Sequence, residues 1–164
     1  MPNWCDNSVR LSHSDKSKID ALEAVLQSEE RGVFSHLRPM PEGTDDWYMW
    51  NVNHWGTKWE MSVIDWERQD DNTIWISFES AWSPPTAMYD YLHEFGDWEV
   101  EGLYHEPGCA FCGIWKDGED DFYEYNFRDL ESLEALPGDL QDFTGLIDYH
   151  HDCKENGDFD EDEE

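Results

Sequence analysis

Basic residues are scarce. The 164 residues contain 10 Lys and Arg against 40 Asp and Glu, a formal net charge of −30. That excludes a protein that grips nucleic acid by its phosphates, which needs a cationic face. Long apolar runs are missing too, since no stretch approaches the about 18 residues of a membrane span. No signal peptide is read at the start, so the expectation is a cytoplasmic protein with reduced thiols. No Gly/Ser-rich linker, internal repeat or glycine-rich phosphate loop occurs. No nucleophile–base pair is supported by spacing; Ser83 and His93 come nearest, and Ser83 reads better as a helix cap. The residues imply no cofactor and no catalytic residue.

What the chain does have is aromatic mass. Ten Trp, eight Phe and seven Tyr can build a core, whereas disordered acidic chains are poor in aromatics. The charge is uneven. Residues 1–93 hold 16 acids and 7 bases, and residues 94–164 hold 24 acids and 3 bases. Packing so much like charge costs stability through self-repulsion. Two readings of it stand. One is solubility or adaptation to high salt. The other is an anionic surface shaped to meet a basic protein.

The pattern along the chain predicts an α+β fold. Asn3 to Leu11 reads as a strand. Ser14 caps a helix whose apolar residues are Ile19, Leu22, Val25 and Leu26, with Gly32 at its end. Residues 34–57, with Pro39, Pro41 and Gly43, read as a long loop. Alternation from Trp59 to Glu67, a turn at Asp70-Asp71-Asn72 and the face Ile74, Ile76, Phe78 predict a hairpin. Ser83 and Pro84 open a second helix with Met88, Leu92 and Phe95, closed by Gly96. Trp98, Val100 and Gly102 begin a fourth strand. This order is βαββαβ, the ferredoxin-like arrangement of an antiparallel sheet with two helices on one face. A hairpin about Asp117-Gly118 extends it, joining 110–115 to 122–127. Two short acidic helices follow, one on Leu130, Leu133 and Leu136, the other on Leu140, Phe143 and Ile147. The expected organisation is one domain over 1–156, with a core at 1–105 and an extension at 106–156. Residues 157–164 read as a disordered acidic tail.

Three constellations could carry chemistry. Cys109 and Cys112, with His150, His151 and Cys153, offer two thiolates and later ligands for a tetrahedral zinc. The spacing matches no standard module, and ordinary half-buried thiols are the simpler reading. The tail from Asp158 faintly resembles a calcium loop but lacks its central glycine and closing Glu. Lys58, flanked by Trp55 and Trp59, is the only Lys or Arg between Arg38 and Arg68. Lys58 either relieves repulsion among anions or faces an anionic or aromatic ligand.

Met1 to Asn7 (MPNWCDN), Phe34 with Leu37-Arg38-Pro39-Met40-Pro41, Trp55-Gly56-Thr57-Lys58-Trp59, and Phe78 with Ala81-Trp82-Ser83-Pro84-Pro85 resemble the YubB-like family. These are small phage and plasmid proteins with a ferredoxin-like domain. The resemblance covers about two-thirds of the chain and implies that same fold and a phage or mobile-element origin. The family carries no established activity, so no catalytic residue is transferred. Cys109, Cys112 and the acidic region after Asp117 depart from it. In the expected sheet order the matching segments are neighbours, placing Trp4, Trp59 and Trp82 at one end, as a structural aromatic cluster or a binding pocket with Trp55 and Lys58.

Two functions are therefore expected. One is a binding protein that meets a basic, nucleic-acid-binding host protein through carboxylates standing in for phosphates. Its contacts would be Asp117, Glu119, Asp120, Asp121, Glu124, Asp129, Glu131, Glu134, Asp139 and Asp142. The alternative is a small-molecule or nucleotide-signal site, with or without catalysis, at Trp55, Lys58 and Trp82. A housekeeping protein that is acidic only for solubility is the remaining reading.

Overall fold

The computed structural model describes residues 3–159. Strand β1 (Trp4–Ser12) alternates, with Cys5, Asn7, Val9 and Leu11 buried on one face. Helix α1 (Lys16–Gln27) follows, capped by Asp15, whose side chain accepts from Ser17 N. Asp15 rather than Ser14 is the cap, and the helix ends at Ser28, four residues before Gly32.

Residues 34–57 are not a long loop. They contain α2 (Val33–Leu37) and α3 (Trp47–His54). Glu60 reaches back to cap α2, accepting from Phe34 N at 2.6 Å and Ser35 N at 3.0 Å. Asp46 caps α3 by accepting from Met49 N. Gly32 serves as the residue before α2.

Strand β2 (Ser62–Asp70) starts three residues later than the alternation from Trp59 predicts. Its register slips between Val63 and Asp65, which pushes Ile64 out to 59 % exposure. Strand β3 (Thr73–Ala81) returns through the expected turn. Helix α4 (Thr86–Phe95) begins after Pro85 and closes at Gly96. Ser83 does not cap it. Its hydroxyl donates to the Gly56 carbonyl instead, at 2.7 Å. Strands β4 (Glu99–Glu106), β5 (Phe111–Lys116) and β6 (Glu119–Glu124) complete the sheet. Asp117 and Gly118, both at positive φ, join the last two in the manner of a tight hairpin.

The result is an open, antiparallel six-stranded sheet in the order β2-β3-β1-β4-β5-β6. Helices α1 and α4 cover one face. Ile19, Leu22 and Leu26 of α1 and Met88, Tyr89 and Leu92 of α4 pack with Val9, Leu11, Ile74, Ile76, Phe78 and Val100. Each such burial is worth about 2 kcal/mol before entropy. The other face is covered only at the β4–β6 side. There α5 (Leu130–Glu134), α6 (Gly138–Thr144) and α7 (Leu146–Glu155) set Leu133, Leu140 and Leu146 against Cys112, with Leu103 and Ile114 beside them. The single helix expected from Leu140 to Ile147 is thus two helices, broken at Gly145, whose φ is +63°. No helix of the described residues lies over the β1–β3–β2 side of this face.

Gly157 to Phe159, expected to be mobile, fold back on α7. Asp158 N donates to the Cys153 carbonyl, and the Phe159 ring lies 5.0 Å from that of His150. The rest of the acidic tail and of the calcium-like run lies outside the described residues.

Candidate functional site

The segments with Trp4, Lys58 and Trp82 meet at one end of the sheet, and a chain of buried polar groups holds them. Asn7 donates to the Cys5 carbonyl and to Ser80 Oγ, both at 2.9 Å. Ser80 Oγ donates to the Ser83 carbonyl at 2.6 Å, and Ser83 Oγ to that of Gly56. Thr57 Oγ1 donates to the Ala81 carbonyl at 2.9 Å. Gly56 (φ +88°) lies so close to the start of α4 that a Cβ there would stand 3.0 Å from Ala87 N. A β-carbon would wedge this junction open.

This frame puts Trp82 at φ +66°, a left-handed conformation that costs a bulky L-residue about 1–2 kcal/mol. The backbone N–H of Trp82 donates to the Asn3 carbonyl at 2.8 Å, which helps to hold it there. Trp82 is 44 % exposed, and Trp4 and Trp59 are each 37 % exposed. The rings of Trp4 and Trp59 are 6.0 Å apart. The Lys58 ammonium sits among aromatics, 4.6 Å from the Trp59 ring, 5.3 Å from Trp82 and 5.6 Å from Tyr48. Each such contact is worth about 0.5–1 kcal/mol at an exposed site. Together these rings form a wet aromatic surface around one cation, the kind of patch that marks an interaction site.

Trp55 does not belong to it. Its ring is 5 % exposed and packs on Phe34 and Trp50, and its indole N–H donates to the Arg38 carbonyl. Tyr48 takes the place expected of Trp55. The prolines and glycine of residues 34–57 read as loop and hide it. Asp46 followed by an apolar run was the available signal.

The ten acidic candidates are all exposed. They do not lie in one plane. On β6, Glu119 and Asp121 point to the α5–α7 side, whereas Asp120 and Glu124 point to the opposite side. Asp129 caps α5, Glu131 and Glu134 stand on that helix, and Asp139 and Asp142 stand on α6. Among the described residues the ion pairs fall on Asp20, Glu23 and Glu101, and none of the ten takes part. Asp120 accepts from the Tyr104 hydroxyl at 2.6 Å, across Gly113, where any side chain would strike that ring. Partial burial pushes the Asp120 carboxyl up, and Asp121 and Asp90 add to this against the Tyr104 hydrogen bond.

The zinc candidates are not assembled. Cys109 is exposed in the turn before β5, beside Asn3 and Glu106, and its thiol is pushed up mainly by the Glu106 carboxylate. Cys112 is buried under α5–α7, which pushes it up to about 11. His150 is buried, its Nδ1 placed 2.8 Å from the Phe127 carbonyl. Among the described residues no group of three or more His, Cys, Asp or Glu stands together as a metal site. High-pKa thiols at Cys5, pushed by burial to about 12, and at Cys112 are poor nucleophiles. No helix of the described residues is long and apolar enough to cross a membrane.

No family model matches the chain, and no curated protein does. Among solved structures it is similar to the protein api92 from Yersinia pseudotuberculosis, of the family DUF1281, with 19% sequence identity and a TM-score of 0.39. The likeness covers 64% of this chain and 39% of that one. The chain thus spans well under half the length of that protein.

Proposed function

We propose that this protein is an acidic binding module, encoded by a phage or other mobile element, that occupies the nucleic-acid site of a basic host protein. The reading rests on one observation: ten carboxylates, eight on β6, α5 and α6 with Asp117 in the turn before β6 and Asp129 capping α5, are exposed and take no part in the ion pairs of the described residues. Water-facing carboxylates outside ion pairs attract Arg and Lys shaped to hold phosphates. They wrap around an edge strand and two short helices. The scaffold beneath is a ferredoxin-like unit of β1–β4 with α1 and α4, in keeping with the resemblance to YubB-like proteins. The strand order β2-β3-β1-β4 supports it. The proposed setting is the host cytoplasm.

Affinity capture from host lysate at low salt tests this. A basic nucleic-acid-binding protein should be retained, eluted by salt and displaced by an added DNA duplex. Changing Glu119, Asp121, Glu124, Glu131 and Glu134 to Lys should abolish retention. Retention that the duplex leaves untouched would overturn mimicry, and retention that survives the charge reversal would overturn the role of these acids.

A second reading is favoured by the Lys58 cluster. A left-handed Trp and a cation ringed by aromatics suit a flat anionic molecule such as a nucleotide signal, bound by stacking and by the ammonium. Lys58→Ala should abolish function on this reading while the variant stays folded by circular dichroism. Normal function in that variant would remove it.

A further inference from the structure

The face of the sheet that α5–α7 cover only in part carries a groove of about 700 Å³. Its floor is one cross-strand row with a residue from each of β2, β3, β1, β4 and β5, and the row runs on beyond the groove to Glu119 of β6. Glu67 pairs with Trp75, Trp75 with Arg10, Arg10 with Glu101, Glu101 with Lys116, and Lys116 with Glu119. Asp139, Asp142 and Phe143 of α6 form one wall.

Two of the chain's ten cations stand in this row, yet neither is free. Arg10 lies 3.4 Å from one oxygen of Glu101, and Lys116 lies 3.5 Å from the other. Glu67, Asp139 and Asp142 take no part in the ion pairs of the described residues. The unmet charge of the groove is therefore negative. Trp75 is half-buried, and its indole N–H donates to Ser8 Oγ at 2.8 Å, which fixes the ring's orientation on the floor. A held indole beside unpaired carboxylates complements a planar cation. A guanidinium can stack on the ring and present its N–H fork to the acids, whereas an ammonium offers only a point charge.

We infer that this groove is an anchor site for an arginine side chain of the partner. The inference rests on the proposal that the partner is basic, and it names the place where that partner is gripped. It assigns opposite roles to neighbours. Glu67, Asp139, Asp142 and Trp75 attract the guanidinium. Arg10 repels it and also occupies Glu101.

Fluorescence anisotropy with a labelled octa-arginine peptide at low salt tests it. Asp139→Asn with Asp142→Asn should weaken binding about tenfold, as should Trp75→Leu. Arg10→Ala should tighten it several-fold. Octa-lysine should bind several-fold more weakly than octa-arginine. The charge-matched pair Glu29→Gln with Glu30→Gln, exposed and outside both the groove and the acidic contacts, should change affinity less than about twofold. If the two double variants weaken binding equally and Trp75→Leu leaves it unchanged, the long-range field alone binds the peptide. The groove is then overturned while the acidic-module reading stands. If the unaltered protein does not bind octa-arginine at low salt, both fall. Circular dichroism on each variant separates lost binding from lost fold, and the tightening by Arg10→Ala cannot come from unfolding.

Discussion

Single residues here do work that their types alone do not announce. His105 is buried with Nε2 placed 2.7 Å from the Tyr125 hydroxyl. Burial holds its imidazole below the ordinary value, although the Asp6 and Glu106 carboxylates pull the other way. The folded state therefore resists a proton that the unfolded chain accepts near pH 6.5. Its stabilising effect is complete above that value and is lost as pH falls below it. Asp120, pushed up by burial, acts in the opposite sense, because the folded state takes its proton more readily. Denaturant unfolding from about pH 8 to about pH 5.5 should show a smaller loss of stability in His105→Gln than in the parent. An identical loss would mean that His105 does not titrate between the two states. Trp82 shows the same point in the backbone. Nothing about a tryptophan foretells φ of +66°; the Asn7–Ser80–Ser83–Gly56 chain of hydrogen bonds and the Asn3 carbonyl around it do.

At the scale of elements, strands β1 and β3 and helices α1 and α4 were legible because each buries one face at a regular period. Val9 and Leu11, Ile74 to Phe78, and Ile19 to Leu26 carry the pattern plainly, and all of them are core. Helices α2 and α3 were not legible. α2 has five residues, and its cap is Glu60, more than twenty positions away, so no local signal announces its start. α3 buries Asn51 and exposes Trp47, Tyr48 and Met49, which inverts the usual apolar stripe. The break between α6 and α7 was hidden because Leu140, Phe143 and Ile147 keep helical spacing through it. Gly145 makes the break, in the left-handed region at no steric cost. Gly145→Ala should cost about 1 kcal/mol, read as a shift in the denaturant midpoint with an unchanged slope. No shift would mean that the junction adapts to a right-handed residue.

For the molecule as a whole, charge dominates. Few of its 40 carboxylates meet a cation in the described residues, where the ion pairs rest on Arg10, Lys16, Arg68 and Lys116. The folded state therefore carries self-repulsion that salt screens within about 10 Å at 0.1 M. Thermal unfolding should move up by several degrees between low salt and about 0.5 M sodium chloride. A midpoint that falls with salt would mean that the ion pairs outweigh the repulsion. Partner binding should respond to salt in the reverse sense, since the same screening weakens attraction between opposite charges.

Composition and periodicity were enough to determine an aromatic core, an antiparallel α+β sheet and a net charge of −30. These follow from burial and net charge, which are sums over residues and survive without coordinates. The tertiary structure alone decided that Trp55 is core and Tyr48 is surface, that the acids wrap around an edge instead of facing one way, and that Trp75 lies in a row with Arg10, Glu101 and Lys116. Each of these depends on strand register and helix placement. A shift of one residue in pairing turns every side chain to the other face, and no count of residue types records which register was taken.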